Sequence, residues 1–217
     1  MRKLLLATLL AAIPSIASAQ IGYLEGSMGI AMIPDVETED HQFDTIYGFF
    51  EGRGELNYET EFSGGLEAGL STGNFRFGAF WEMMSAQLDT GRVVGTLDGL
   101  PINIEGTDDE IVNYLGLSFD ENVHVFGVNG YYNFGMPGAN WQPFVGMGIG
   151  GATFQDADTE LAVNASLGAR FALGTNAYVG GRYRFTWING PEDDLAISYK
   201  SIQVHTVSLI LGFYFGR

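Results

Sequence analysis

The sequence predicts an all-β protein: an eight-stranded antiparallel, up-and-down transmembrane β-barrel behind a cleavable signal peptide. Three observations carry that expectation. Eight segments alternate apolar with small or polar residues at a period of two. The charged residues within those segments take the same parity as the glycines. Short, uncharged connections alternate along the chain with long or acidic ones. Composition agrees: 31 of 217 residues are glycine against only 6 prolines, about twice ordinary glycine usage. With 16 Phe, 10 Tyr and 3 Trp the chain is too aromatic to be a disordered glycine-rich polymer.

The chain opens with Met1-Arg2-Lys3, an apolar run from Leu4 to Ile16, and the small-x-small triplet Ala17-Ser18-Ala19. This is the pattern of a secretory signal peptide over residues 1–19, with cleavage expected after Ala19. The apolar run is too short for a membrane-spanning helix. Removing it takes away Arg2 and Lys3, so 8 basic residues face 26 acidic ones in residues 20–217, a net charge of −18. That charge excludes nucleic acid as a partner, since phosphate contacts need a basic surface. The lack of cysteine excludes disulfide scaffolds, thiolate metal sites and thiol catalysis.

The strands follow in order. Leu24, Met28, Ile30 and Met32 share one parity, and Tyr23, Glu25, Ser27 and Gly29 the other. Phe62, Leu66 and Leu70 alternate with Ser63, Gly65, Glu67, Gly69 and Ser71. After the turn Thr72-Gly73-Asn74, Phe75, Phe77, Ala79, Trp81 and Met83 alternate with Arg76, Gly78, Phe80 and Glu82. The fourth segment sets Phe126, Val128, Tyr132 and Phe134 against Gly127, Asn129, Tyr131 and Asn133. The fifth sets Val145, Met147 and Ile149 against Phe144, Gly146, Gly148 and Gly150. Val163, Ala165, Leu167 and Phe171 oppose Asn164, Ser166, Gly168 and Arg170. Val179, Tyr183, Phe185 and Trp187 oppose Tyr178, Gly180, Arg182, Arg184 and Thr186. Last, Val207, Leu209, Leu211, Phe213 and Phe215 oppose Ser208, Gly212 and Tyr214.

Glu25, Glu67, Arg76, Glu82, Arg170, Arg182 and Arg184 all fall on the glycine parity. Seven random placements would agree on the order of one time in a hundred. A soluble sandwich would hydrate this face with Lys and Thr, yet residues 20–217 hold one lysine, Lys200. The better reading points the apolar face at lipid and lines a narrow interior with glycine and charge. Arginines and glutamates there are expected to pair as an interior charge network, because an unpaired buried charge costs several kcal/mol. Closure also removes every sheet edge, as a bilayer demands.

Three connections are short and uncharged: Ser71 to Asn74, Gly135 to Asn140 and Ala172 to Asn176. The other four, about 34–60, 86–121, 153–160 and 188–200, are long or acidic. Only Glu25, Glu67 and Glu82 of the 26 acidic residues lie in strand bodies. Such asymmetry is that of an outer-membrane barrel with short turns in the periplasm. Phe75, Phe134, Trp141, Phe171 and Phe215 below, with Trp81 and Trp187 above, are placed to form two interfacial girdles. Within 86–121, Arg92-Val93-Val94 and Leu100-Pro101-Ile102-Asn103-Ile104 are candidates to extend the strands as a hairpin beyond the membrane.

Tyr131-Tyr132-Asn133-Phe134, Gln142-Pro143-Phe144-Val145-Gly146-Met147-Gly148-Ile149-Gly150 and Gly181-Arg182-Tyr183-Arg184-Phe185 resemble recurrent motifs of small outer-membrane β-barrels, the opacity-protein and OmpA/OmpX-like group of Gram-negative bacteria. The resemblance implies an eight-stranded barrel with four surface loops in the cell outer membrane. Its members serve as structural barrels, adhesins, immune-evasion proteins or narrow pores. Leu211-Gly212-Phe213-Tyr214-Phe215 resembles the family's assembly signal, with Gly212, Phe213 and Phe215 as the residues that carry it. The family usually ends in phenylalanine; this chain ends in Arg217. At a strand end an outward arginine costs about 0–1 kcal/mol, against ~2–4 at the midplane.

Other constellations carry less. Gly146-x-Gly148-x-x-Gly151 matches a dinucleotide fingerprint as a string, but an acidic loop follows where the fingerprint needs a helix. Asp156-x-Asp158-x-Glu160 begins like a calcium loop, yet Leu161 and Leu167 stand where that loop needs glycine and glutamate. Asp108-Asp109-Glu110 and Glu192-Asp193-Asp194 read as solvated acidic clusters. The histidines are His41, His124 and His205; His205 and Ser208 lie on opposite parities and do not face each other. No catalytic, cofactor or metal residue is therefore assigned. The expectation is a non-enzymatic outer-membrane barrel with a structural or adhesin-like surface role. Its expected partners are outer-membrane lipid and lipopolysaccharide, the barrel-assembly machinery, and surface or host ligands at the loops. A narrow cation-preferring pore is the alternative reading, and a lipid A-modifying enzyme the third.

Overall fold

The computed structural model describes residues 21–45, 48–107, 121–136, 139–154, 159–190 and 200–216. The expected signal peptide, Arg217, the clusters at 108–110 and 192–194, and Asp156 and Asp158 lie outside them. The described residues form thirteen strands: β1 Ile21–Met32, β2 Val36–Glu37, β3 His41–Thr45, β4 Gly48–Tyr58, β5 Glu61–Thr72, β6 Phe75–Ala86, β7 Leu88–Leu97, β8 Leu100–Thr107, β9 Glu121–Asn133, β10 Trp141–Thr153, β11 Glu160–Ala172, β12 Ala177–Ile188 and β13 Ile202–Phe215.

Eight of them close into one antiparallel barrel in the order β1-β13-β12-β11-β10-β9-β6-β5. The seam joins the first and last strands, from Gly22 opposite Phe215 to Met32 opposite His205. Alternation puts Leu24, Met28, Leu66, Phe77, Met147, Leu167, Leu209 and Phe213 on the outer wall, each about half exposed or more. Large apolar side chains exposed in a continuous band are unfavourable in water and favourable in lipid.

The inner wall is packed with side chains, as a barrel of this strand number requires. Glycine makes that packing possible at close approaches. A Cβ on Gly146 would sit 2.2 Å from the Tyr131 ring, and one on Gly212 would sit 2.2 Å from the Tyr178 ring. At Gly78, Gly146 and Gly212 glycine clears space for Tyr23, Tyr131 and Tyr178, whereas Gly29, Gly69, Gly127 and Gly150 lie against the backbone of the neighbouring strand.

The stretches 34–60 and 86–121 were expected to be loops, with a hairpin in the second. The hairpin is present as β7–β8, with Val93 opposite Ile104 and Val94 opposite Asn103, and most other described residues of both stretches are sheet as well. The β4 strand runs straight on into β5, and β6 into β7; Glu59 N–H donates to Gln87 C=O at the junction (2.9 Å). The β5–β6 hairpin thus continues out of the barrel as β4–β7, flanked by β8 on one side and by β2 and β3 on the other. Acidic residues and Gly52, Gly54, Gly91 and Gly95 hide these strands in the sequence, because glycine and charge read as turn. A register shift at Asn57/Tyr58 sets Tyr58 opposite Leu88. That bulge turns Leu88 toward the barrel mouth, where it is buried.

Candidate functional site

The inside of the barrel has three layers. At the middle lie six of the seven charged residues singled out by parity, and all seven are buried. Glu25 receives Arg76 Nη1 (3.0 Å), Arg182 Nη1 (3.1 Å) and the Tyr178 hydroxyl (2.7 Å). Glu67 accepts from the hydroxyls of Tyr23 (2.6 Å) and Tyr131 (2.7 Å) and from Asn129 Nδ2 (2.8 Å). Arg76, Arg182 and Arg184 stand 3.8–3.9 Å from the same carboxylate. Glu82 binds Arg184 Nη1, while Arg184 Nε donates to Ser166 (3.3 Å). The Arg76 guanidinium lies 4.6 Å from the ring centroids of both Tyr23 and Tyr131. An ionised carboxylate offers about four lone-pair sites, and hydroxyls plus guanidinium groups occupy them here in place of water.

The tyrosines and Asn129 complete this network, and they were not among the residues assigned to it from sequence. Their inward parity was the available signal; charge alone drew attention to the rest. The seventh charged residue, Arg170, sits apart, nearer the short-turn end, bonded to the Tyr214 hydroxyl (2.7 Å) and to Asn133.

Above the charges the interior turns apolar. Ala31, Met84, Ala86, Val123, Val125, Ala152, Ala162, Ile188 and Val204 line the mouth and form one buried cluster. Ile33, Val36, Leu56 and Leu88 join it from the segments above. This stopper removes the mouth from water and gives the protruding sheet a firm base.

That sheet has two faces. Register places Val36, Phe50, Leu56, Val93, Leu97, Leu100, Ile102 and Ile104 on one, and Glu37, Glu51, Arg53, Glu55, Arg92, Asn103 and Glu105 on the other. Leu100 and Ile104 are 70% and 62% exposed, although they lie beyond the barrel. On the polar face Glu55 lies between Arg53 (3.4 Å) and Arg92 (3.5 Å), and Arg92 Nε donates to Asn103 (2.8 Å). Lys200, just before β13, pairs with Glu37 (2.5 Å), and its N–H donates to Glu37 C=O (2.9 Å). The Lys200 ammonium beside Glu37 holds that carboxyl below the usual carboxylate range.

The remaining sequence candidates fall into structural places. Gly146, Gly148 and Gly151 lie within β10, laddered to β9 and β11, so their backbone groups serve the sheet. Tyr183 Oη lies 2.7 Å from His205 Nδ1, whereas Ser208 is buried inside and donates toward Arg182 C=O (3.5 Å). His124 stacks on Trp81 (5.7 Å). Glu160 accepts from Asn189 Nδ2 (3.0 Å).

Over residues 4–215 the chain matches the family described as outer membrane protein beta-barrel domain. It belongs to that family. Its place is therefore the cell outer membrane, with the apolar outer wall in lipid. Among solved structures, Neisserial surface protein A (NspA) is 13% identical, with 91% of this chain and 98% of that one covered at a TM-score of 0.53. OprG from Pseudomonas aeruginosa is 14% identical, over 92% of this chain and 98% of that one, also at 0.53. At such identity the likeness is one of fold. No curated protein matches the chain in sequence.

Proposed function

We propose that this member of the family is a non-enzymatic surface-interaction protein. In this reading the filled barrel is an anchor, and the extracellular sheet of β2, β3, β4, β7 and β8 is the working surface. One observation carries it: two long connections combine into a single sheet that keeps Leu100 and Ile104 exposed outside the membrane. Contiguous apolar residues mark a contact surface where scattered single ones do not, and Val93, Leu100 and Ile104 share one exposed face. The acidic residues around them favour a partner with basic groups. The apolar stopper over the charge layer supports an anchor over the cation-pore reading, since an eight-stranded interior filled by side chains leaves no water column. The half-exposed Phe213 and Phe215, with Gly212, remain the residues proposed for recognition by the assembly machinery.

The test is adherence to epithelial monolayers of cells expressing the wild type, L100S/I104S, or no protein. Heat-modifiable gel migration checks that each barrel has folded. The reading expects the double variant to fold and to lose most of the adherence gained over the empty strain. Wild-type adherence no greater than the empty strain overturns it.

A further inference from the structure

Four buried arginines share the barrel interior with three buried glutamates, so the described interior holds one cation more than its anions balance. That excess is local. Arg76, Arg182 and Arg184 each stand within 4 Å of a carboxylate. Arg170 is 2% exposed, and its bonds go to neutral acceptors, the Tyr214 hydroxyl and the Asn133 amide oxygen. Its Nε is shut off from solvent and has no hydrogen-bond partner among the described residues. The rings of Phe144 and Tyr178 lie 5.4 and 5.0 Å from the guanidinium carbon. Aromatic faces stabilise a cation but offset its desolvation only in part.

Arg170 also forms part of the wall of a cavity at the periplasmic mouth, about 130 Å³ in volume. Ser71, Asn133, Gln142, Thr175 and Tyr214 contribute polar groups to it, and no acidic side chain lines it among the described residues. The three turns on this side carry no acidic residue either, in a chain with 26 of them. A cavity of this size admits one small polyatomic group. A guanidinium with donors to spare presents a planar fork that fits an oxyanion.

We infer that the periplasmic mouth is a binding site for a single small oxyanion, a carboxylate or a phosphate group, with Arg170 as its counter-ion. The acidic loops act outside; this site faces the opposite compartment and stands independently of the surface reading. The anion enters between the 71–74 and 172–176 turns and neutralises the interior's excess charge. Removing Arg170 removes the attraction while leaving the Glu25–Glu67–Glu82 layer intact.

The test titrates the refolded mature chain, in a non-ionic detergent that brings no phosphate of its own, with sodium acetate and separately with inorganic phosphate. Sodium chloride at matched ionic strength is the control. Amide NMR shifts of Asn133, Gly174 and Tyr214 are the readout. The inference expects saturable shifts there with at least one oxyanion, beyond the chloride response; the tighter of the two identifies the ligand as carboxylate or phosphate. Arg170→Gln should weaken binding by tenfold or more, and Arg170→Lys by less. Shifts in the wild type that stay linear, or that chloride reproduces, overturn the inference whether or not the variants fold. So does undiminished saturation in a folded Arg170→Gln.

Discussion

Asp98 and Phe49 bond each other twice: Phe49 N–H donates to Asp98 Oδ1 (2.9 Å), and Asp98 N–H donates to Phe49 C=O (2.9 Å). Asp98 sits at φ 49° in the two-residue turn between β7 and β8, followed by Gly99 at φ 78°, the conformation that Asp-Gly turns favour. The two contacts tie the tips of separate segments together, so the sheet beyond the barrel is clamped at its outer end and stoppered at its base.

Asp98→Ala should therefore loosen the outer sheet and spare the barrel. A partly exposed, charge-assisted bond contributes about 1 kcal/mol, enough to raise the open population several-fold. Limited proteolysis on intact cells should cut the variant several-fold faster between residues 45 and 100, with unchanged heat-modifiable migration. Equal cleavage rates for variant and wild type would contradict the clamp.

Glu25→Gln tests the charge layer. Two arginines and a tyrosine converge on that carboxylate, and removing one partner from a buried ion pair typically costs about 3–5 kcal/mol. Urea unfolding in detergent or bilayers should register a loss of that order. A loss below about 1 kcal/mol, the range of an exposed pair, would mean that the interior is hydrated.

Leu209→Arg tests orientation. Leu209 is 65% exposed near the middle of β13, and an arginine at the lipid midplane costs about 2–4 kcal/mol. The same substitution at Phe215, at the strand end, should cost about 0–1 kcal/mol. Equal effects at both positions would contradict a bilayer centred on the barrel strands.

The parity of these side chains was legible because alternation is a local property: each strand declares its faces without reference to its neighbours. Which carboxylate meets which guanidinium was not legible. Glu25 reaches Arg76 and Arg182, 51 and 157 residues away, and such pairings depend on barrel register and stagger. The β7–β8 hairpin was legible, but the same limit hid β2, β3 and β4 and the pairing of β4 with β7. Gly52 against Gly95 makes sense only once β4 lies on β7, and in the linear chain both glycines look like turn residues. Arg170 shares its parity with Arg182 and Arg184, and nothing in the sequence marks it as the one with no carboxylate beside it among the described residues.

Glu37 and Lys200 give the outer sheet a pH dependence. The ammonium lowers the Glu37 pKa in the folded protein, so the pair's contribution is complete above the ordinary carboxylate value of about 4.3. It is lost as pH falls through the lower, folded value. The Lys200 amide shift should titrate with a midpoint below the ordinary value, moving toward it as salt is added. A midpoint at or above the ordinary value in low salt would mean that the pair does not form.

The central claim is that the barrel is a filled anchor and that its function lies outside the membrane. Planar-bilayer recording with the purified, heat-modifiable protein tests it most directly. Because Met84, Ile188, Val204 and their neighbours close the mouth above the Glu25–Arg76–Glu67 layer, the account predicts no unitary conductance steps in either voltage polarity. Reproducible, cation-selective steps from the wild-type protein would contradict it.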